Sequence, residues 1–107
     1  MKTKIAEDSK FKAMVFKALA DPIRLEFLYF LKEEKCVCEL VEYFDIVQPL
    51  VSRHLKILKD AGLIRYYKEG NKRMYQITNP KILSMVDNLD SYLIDYLKQM
   101  ILQDITN

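Results

Sequence analysis

The chain has 107 residues, half of them apolar and 30% charged, with two glycines, three prolines, two cysteines and one histidine. That length holds one small domain, taken as residues 1–107; the apolar share excludes a disordered chain, and the scarcity of Gly and Pro beside Leu, Lys, Ile and Glu disfavours a turn-rich sandwich or barrel. The formal net charge of +2 is unevenly spread, because residues 48–75 hold seven Lys and Arg against two acids, net +5, while the rest nets −3, which points to a polyanion partner at one segment.

At the N-terminus, MKTKIAEDSKFK has no uninterrupted apolar stretch of a signal peptide. No run anywhere approaches the roughly 18 apolar residues that cross a bilayer, so a cytoplasmic protein with no membrane partner is expected. Phe11, Met14, Val15, Ala18 and Leu19 fall at helical spacing, with Ser9 as the expected cap. A second helix opens at Asp21 with Pro22 in its first turn, and Ile23, Leu25, Phe27, Leu28 and Leu31 supply its buried stripe. After EKCVC, the residues Leu40, Val41 and Phe44 give a short third helix. A tight connection leads into QPLVSRHLKILKDAGL, a longer helix with Val51, Leu55 and Leu58 on one face and Ser52, Arg53, Lys56 and Lys59 on another, stopped by Gly62. LIRYYKEGNKRMYQI then alternates with period two about the turn residues EGNK, which predicts a β-hairpin. Finally Ile82, Val86, Leu89, Leu93, Tyr96 and Met100 recur at steps of four and three on one terminal helix, widened by Met85, Tyr92 and Leu97. Such a stripe either folds back on its own core or, as expected here, exceeds what one small domain buries and forms a homodimer seam.

The expected fold class is therefore mainly α (α+β): about five helices plus a β-hairpin, arranged as a winged helix-turn-helix. In that arrangement the second helix enters the major groove and the hairpin cations reach flanking phosphates. Gln48, Pro49 and Ser52 lie near the start of the helix, where Gln48 and Ser52 reach base edges, and Arg53 takes guanine or phosphate. Lys56, Lys59, Lys68, Lys72 and Arg73 position the duplex and make binding salt-dependent. His54 falls at the edge of the buried face, so a DNA contact and a packing role are both open for it, and catalysis is not expected. Tyr66, Tyr67 and Tyr75 read as cross-strand packing residues.

The ordered set KALADPIRLEFLYFL, CVCEL, QPLVSRHLKILKDAGLI and EGNKRMYQI resembles the ArsR/SmtB family of metal-responsive repressors over roughly residues 11–78. The resemblance implies a homodimer that occupies double-stranded operator DNA and leaves it when a metal or metalloid inducer binds, with no permanently bound cofactor and no enzymatic activity. It also implies pairing through the first and last helices, here by Phe11 and Val15 with Val86, Leu89, Leu93, Tyr96 and Met100. One departure is Val47, where the family usually places Ser or Thr to cap the recognition helix.

On an extended segment Cys36 and Cys38 share a face with Cα atoms about 6.6 Å apart. That is the far edge of disulfide reach, and with a cytoplasmic setting it disfavours a structural disulfide. Lys35 and the following helix N-terminus favour thiolate. Two cysteines and one histidine are too few for a tetrahedral zinc site, and residues 79–107 contain no histidine for the zinc-type site of some family members. A soft, low-coordinate ion suits the pair better. CVCEL resembles the family's arsenic-binding segment, so arsenite is the expected inducer, with antimonite, mercury and copper(I) as alternatives. Many arsenic sensors carry a third cysteine where this chain has Val41. Drawing the sulfurs together is expected to distort the supporting helix, and coupling of about 1 to 3 kcal/mol suffices to release an operator. Oxidation of the same pair would act comparably, so a thiol-redox-responsive repressor is the alternative, and unliganded packing residues are a third reading. A dithiol oxidoreductase would lack a neighbouring acid or base and leave the basic segment unexplained.

Overall fold

Asp21 makes the first corner of the fold. Its carboxylate accepts hydrogen bonds from the Ile23 and Arg24 amides at 2.8 and 3.2 Å, satisfying free N–H groups at the start of helix α2 (Pro22–Phe30). Pro22 at the first helical position brings no donor that needs a partner. Helix α1 (Glu7–Leu19) precedes it and starts two residues before Ser9, which lies inside the helix instead of capping it. Glu7 and Asp8 in its first turn complement the helix dipole instead. This computed structural model describes residues 4–106.

The chain next forms a two-residue strand, β1 (Lys35–Cys36), and turns directly into α3 (Val37–Phe44). Asp45, in the left-handed region at φ 52, ends α3, a conformation that Asp tolerates better than most residues. Only Asp45, Ile46 and Val47 separate α3 from the long helix α4 (Gln48–Asp60), so the two are held as a helix-turn-helix. Gly62, at φ 77, closes α4: its amide donates to the Lys59 carbonyl at 2.9 Å and the Leu63 amide to the Leu58 carbonyl at 3.0 Å. The expected hairpin follows as β2 (Ile64–Glu69) and β3 (Lys72–Ile77), paired antiparallel from Ile64↔Ile77 to Glu69↔Lys72, with Gly70 at φ 62 in the turn. Strand β1 adds to the free edge of β3, giving the order β1-β3-β2.

Phe27, Leu28 and Leu31 of the α2 region, Leu40 of α3, Val51, Leu55 and Leu58 of α4 and Ile64 of β2 are fully buried and form the core. At about 25 cal/mol per Å² of apolar surface removed from water, each such side chain contributes roughly 1.5 to 3 kcal/mol. Placing one core across α2, α3, α4 and the sheet fixes the recognition helix relative to the wing.

The terminal stripe does not form one helix. It divides into α5 (Lys81–Asp87) and α6 (Ser91–Thr106), because the Asp90 carboxylate accepts from the Leu93 amide at 2.9 Å and starts a new helix. Helix α5 is tied to α2 by the Tyr29 hydroxyl, which donates to the Asp87 carboxylate, and by Leu83 in the core. Every residue from 91 to 104 is exposed, so α6 does not fold back on the protomer's own core. No helix among the described residues is long and apolar enough to cross a membrane.

Candidate nucleic-acid interface and cysteine pair

Gln48, Ser52, Lys56 and Lys59 from α4 and Lys72 and Arg73 from the wing face one groove of about 520 Å³. Their spacing on α4, four residues from Gln48 to Ser52 to Lys56, places them on one face of the helix. Asn71, at the hairpin tip, also lines the groove, a position that turn chemistry gives no reason to single out. Pro49, Arg53 and Lys68 are exposed but lie outside the groove lining. Tyr66 orders two of the cations. The Lys59 ammonium stands 5.4 Å and the Arg73 guanidinium 4.9 Å from its ring, which itself packs 5.3 Å from Tyr75. Lys56 is held by Asp60 at 2.8 Å, an exposed pair that orients more than it stabilises.

Val47 supplies no side-chain cap to α4. Two features make the loss small. Pro49, in the first turn, has no N–H to satisfy, and the Leu50 amide donates to the Val47 carbonyl at 3.1 Å.

His54 is not among the groove residues. It is 6% exposed, with Nδ1 3.2 Å from the Arg24 guanidinium and its ring in a T-shaped contact with Phe27. Facing a guanidinium, Nδ1 is the acceptor, so the imidazole is neutral with its proton on Nε2. Burial lowers the pKa of His54 below 6.5; the Asp21 carboxylate opposes this, and Arg24 and Arg53 reinforce it. Arg24 also donates from Nε to the Ala18 carbonyl at 2.6 Å and from Nη2 to the Lys17 carbonyl at 3.4 Å. One side chain thereby joins the end of α1, the start of α2 and the middle of the recognition helix. The sequence carried a signal for it: a cation in the first turn of a helix opposes the helix dipole and calls for a structural reason.

Cys36 and Cys38 are joined by a disulfide, which corrects the expectation that spacing disfavours one. The segment is not extended through both residues. Cys36 ends β1 and Cys38 already lies in the first turn of α3, so their Cα atoms are 5.3 Å apart, well within disulfide reach. Cys36 is also the cap of α3. Its Sγ accepts from the Glu39 amide at 3.3 Å while its own amide donates to the Glu39 carboxylate at 2.7 Å, a reciprocal capping box built on sulfur. Cys36 is 4% exposed and Cys38 is exposed, and both line the basic groove. Lys35 does not serve the thiols: side chains alternate along β1, and its ammonium stands 5.1 Å from the Phe30 ring. Among the described residues no cluster of three or more His, Cys, Asp or Glu could hold a metal ion. Val41, at the position of the third cysteine of many arsenic sensors, packs partly buried against the core.

Residues 21–66 match the family described as bacterial regulatory protein, arsR family. The chain is 43% identical over 77 residues to an arsenical resistance operon repressor of Staphylococcus xylosus, covering 71% of this chain and 74% of that one. It is 41% identical over 75 residues to a probable mercury resistance operon repressor of Streptomyces lividans, covering 69% and 60% respectively. In three dimensions it resembles the crystal structure of Rv0081 of M. tuberculosis, with a TM-score of 0.75 and 27% identity over 91% of this chain and 99% of that one. Sequence match, fold and groove agree: this chain belongs to the arsR family of bacterial regulatory proteins, as a winged helix-turn-helix regulator of transcription and not an enzyme.

Proposed function

We propose that the chain is a homodimeric repressor that holds operator DNA in the groove between α4 and the wing and leaves it when reduced Cys36 and Cys38 take up trivalent arsenic. The observation that carries this reading is the position of the pair: both sulfurs stand on the wall of the groove that offers Gln48, Ser52, Lys56 and Lys72 to DNA. An ion bound there changes the surface the duplex must meet and the cap of α3 together, and Cys36 also pairs with Met74 of the wing. Two sulfurs fit a soft ion of low coordination number, which includes antimonite, mercury and copper(I), and they do not fit tetrahedral zinc. His54 is committed to Arg24, so any further ligand comes from water, an external thiol or the other subunit. The names of the relatives, arsenical and mercury resistance repressors, support a thiophilic signal. Pairing uses the faces that the protomer leaves exposed, Phe11 on α1 with Leu89 before α6 and Leu93, Tyr96 and Met100 on it, flanked by the half-buried Val15 and Val86.

The disulfide favours a second reading, in which oxidation of the same pair is the signal. The two occupants exclude each other, since an ion requires both sulfurs as thiolates. Fluorescence anisotropy of the reduced protein on its own upstream DNA, titrated with arsenite, tests the first reading. Release by native protein and none by the Cys36→Ser/Cys38→Ser variant is expected. Arsenite-insensitive binding that is lost on oxidation instead assigns the pair to redox signalling.

A further inference from the structure

We propose that the Cys36–Cys38 bond is an exchange site for a small anionic thiol, with Cys38 as the sulfur attacked and Cys36 as the leaving group. The inference rests on the reading of this pair as the signal site and adds the class of thiol and the direction of attack. Three observations carry it. The two cysteines are unequal: Cys38 is exposed while Cys36 is 4% exposed, so an incoming thiolate reaches Cys38 more readily. The buried sulfur is the one prepared to leave, because Cys36 Sγ sits at the start of α3 and already accepts the Glu39 amide at 3.3 Å, a bond that strengthens once the sulfur carries charge. The surroundings are uneven in charge: the groove of about 520 Å³ presents Lys56, Lys59, Lys72 and Arg73 and no acid, whereas the cavity of about 420 Å³ presents Glu39 and Glu69 with Lys72 as its one cation. A thiol bearing carboxylates is therefore favoured on the groove side.

The step balances without an added oxidant. The small thiol loses its proton to solvent, its sulfur bonds Cys38 Sγ, the Cys36–Cys38 bond breaks, and the electron pair stays on Cys36 as a thiolate. One disulfide is exchanged for another. The adduct then fills the groove and sets carboxylates against the cations that meet phosphate, which gives the exchange a route to DNA release.

The oxidised protein is treated with glutathione, β-mercaptoethanol or cysteamine at matched thiolate concentration, quenched with acid and read by intact mass and fragment mapping. Glutathione is expected to react at least about tenfold faster than cysteamine, with the advantage shrinking as salt is added and in Lys56→Gln/Lys72→Gln. The adduct is expected on Cys38. Because an adduct can migrate, the single variants are also carried as their 2-thiopyridyl mixed disulfides and challenged with glutathione, so that the protein sulfur is the one attacked: Cys36→Ser, which keeps Cys38, should be modified faster than Cys38→Ser. Rates indifferent to thiol charge, or faster modification of Cys38→Ser, overturn the proposal. Anisotropy on the purified adduct separates the two levels: an adduct that forms on Cys38 with the expected charge preference yet stays on DNA upholds the exchange site and overturns DNA release by exchange, while the arsenite titration above tests the signal reading itself.

Discussion

Arg24 stands where its helix disfavours a cation, and the reason is what its guanidinium holds. It bonds two carbonyls at the end of α1 and the His54 ring on α4, and lies 3.9 Å from Asp21. Replacing it with Leu removes the guanidinium donor from the Ala18 carbonyl and from His54 Nδ1, while the Lys17 carbonyl keeps the Ala20 amide at 3.2 Å, and Arg24→Leu is expected to lower unfolding stability by about 2 to 3 kcal/mol in a urea titration. His54 makes this hub sensitive to acid. Its pKa is lowered in the folded state, so the folded protein favours the neutral ring. The stabilisation is therefore complete above 6.5, where the unfolded chain is also neutral, and is lost as pH falls from 6.5 through the lowered folded value. Thermal melts between about pH 7 and about pH 5 should show native protein losing stability, while His54→Gln, which keeps an acceptor and does not titrate, should lose less over the same interval. Cys36 is a different case, because a serine hydroxyl also caps a helix. Under reducing conditions Cys36→Ser should shift stability by less than about 1 kcal/mol, which makes loss of signalling in that variant separable from loss of fold.

At the scale of elements, α4 and the wing divide the work on DNA. Lys72, on the wing, contacts backbone charge in the proposed complex, so Lys72→Ala should weaken binding to all duplexes alike and reduce the log-log salt slope by about 1. Gln48→Ala, at the start of α4 and in the groove, should instead cost about 1 to 3 kcal/mol on the preferred site and little elsewhere, a loss of discrimination measurable by competition between duplexes. Both elements were legible from the sequence because each carries its own period: Val51, Leu55 and Leu58 mark a helix face, and residues 64–77 alternate about Gly70. Strand β1 was not, since two residues show no period and their partners Tyr75 and Met74 lie far along the chain. The division between α5 and α6 was masked by apolar residues that keep helical step across Asn88–Asp90, although Asp90 caps the second helix. The disulfide was missed for a related reason: the distance assumed a strand through both cysteines, and the helix begins between them. His54 was legible only as a residue at a boundary, because its partner Arg24 is 30 positions away.

For the whole molecule, the exposed face of α6 is the feature that a single protomer leaves unfinished. Leu93→Asp/Met100→Asp places charge on that face outside the protomer's own core. The variant is expected to keep its helical circular dichroism, sediment as a monomer, and bind a two-half-site duplex roughly a hundredfold more weakly. If that face is the proposed dimer seam, it makes control quantitative in another way. Where pairing is incomplete, dimer concentration rises with the square of protomer concentration, so operator occupancy climbs more steeply than the amount of protein made. In the proposed dimeric repressor, a helix held outside its own core would thus convert copy number into a threshold, and a cell near that threshold would relieve repression by modest dilution during growth, with the cysteine pair untouched.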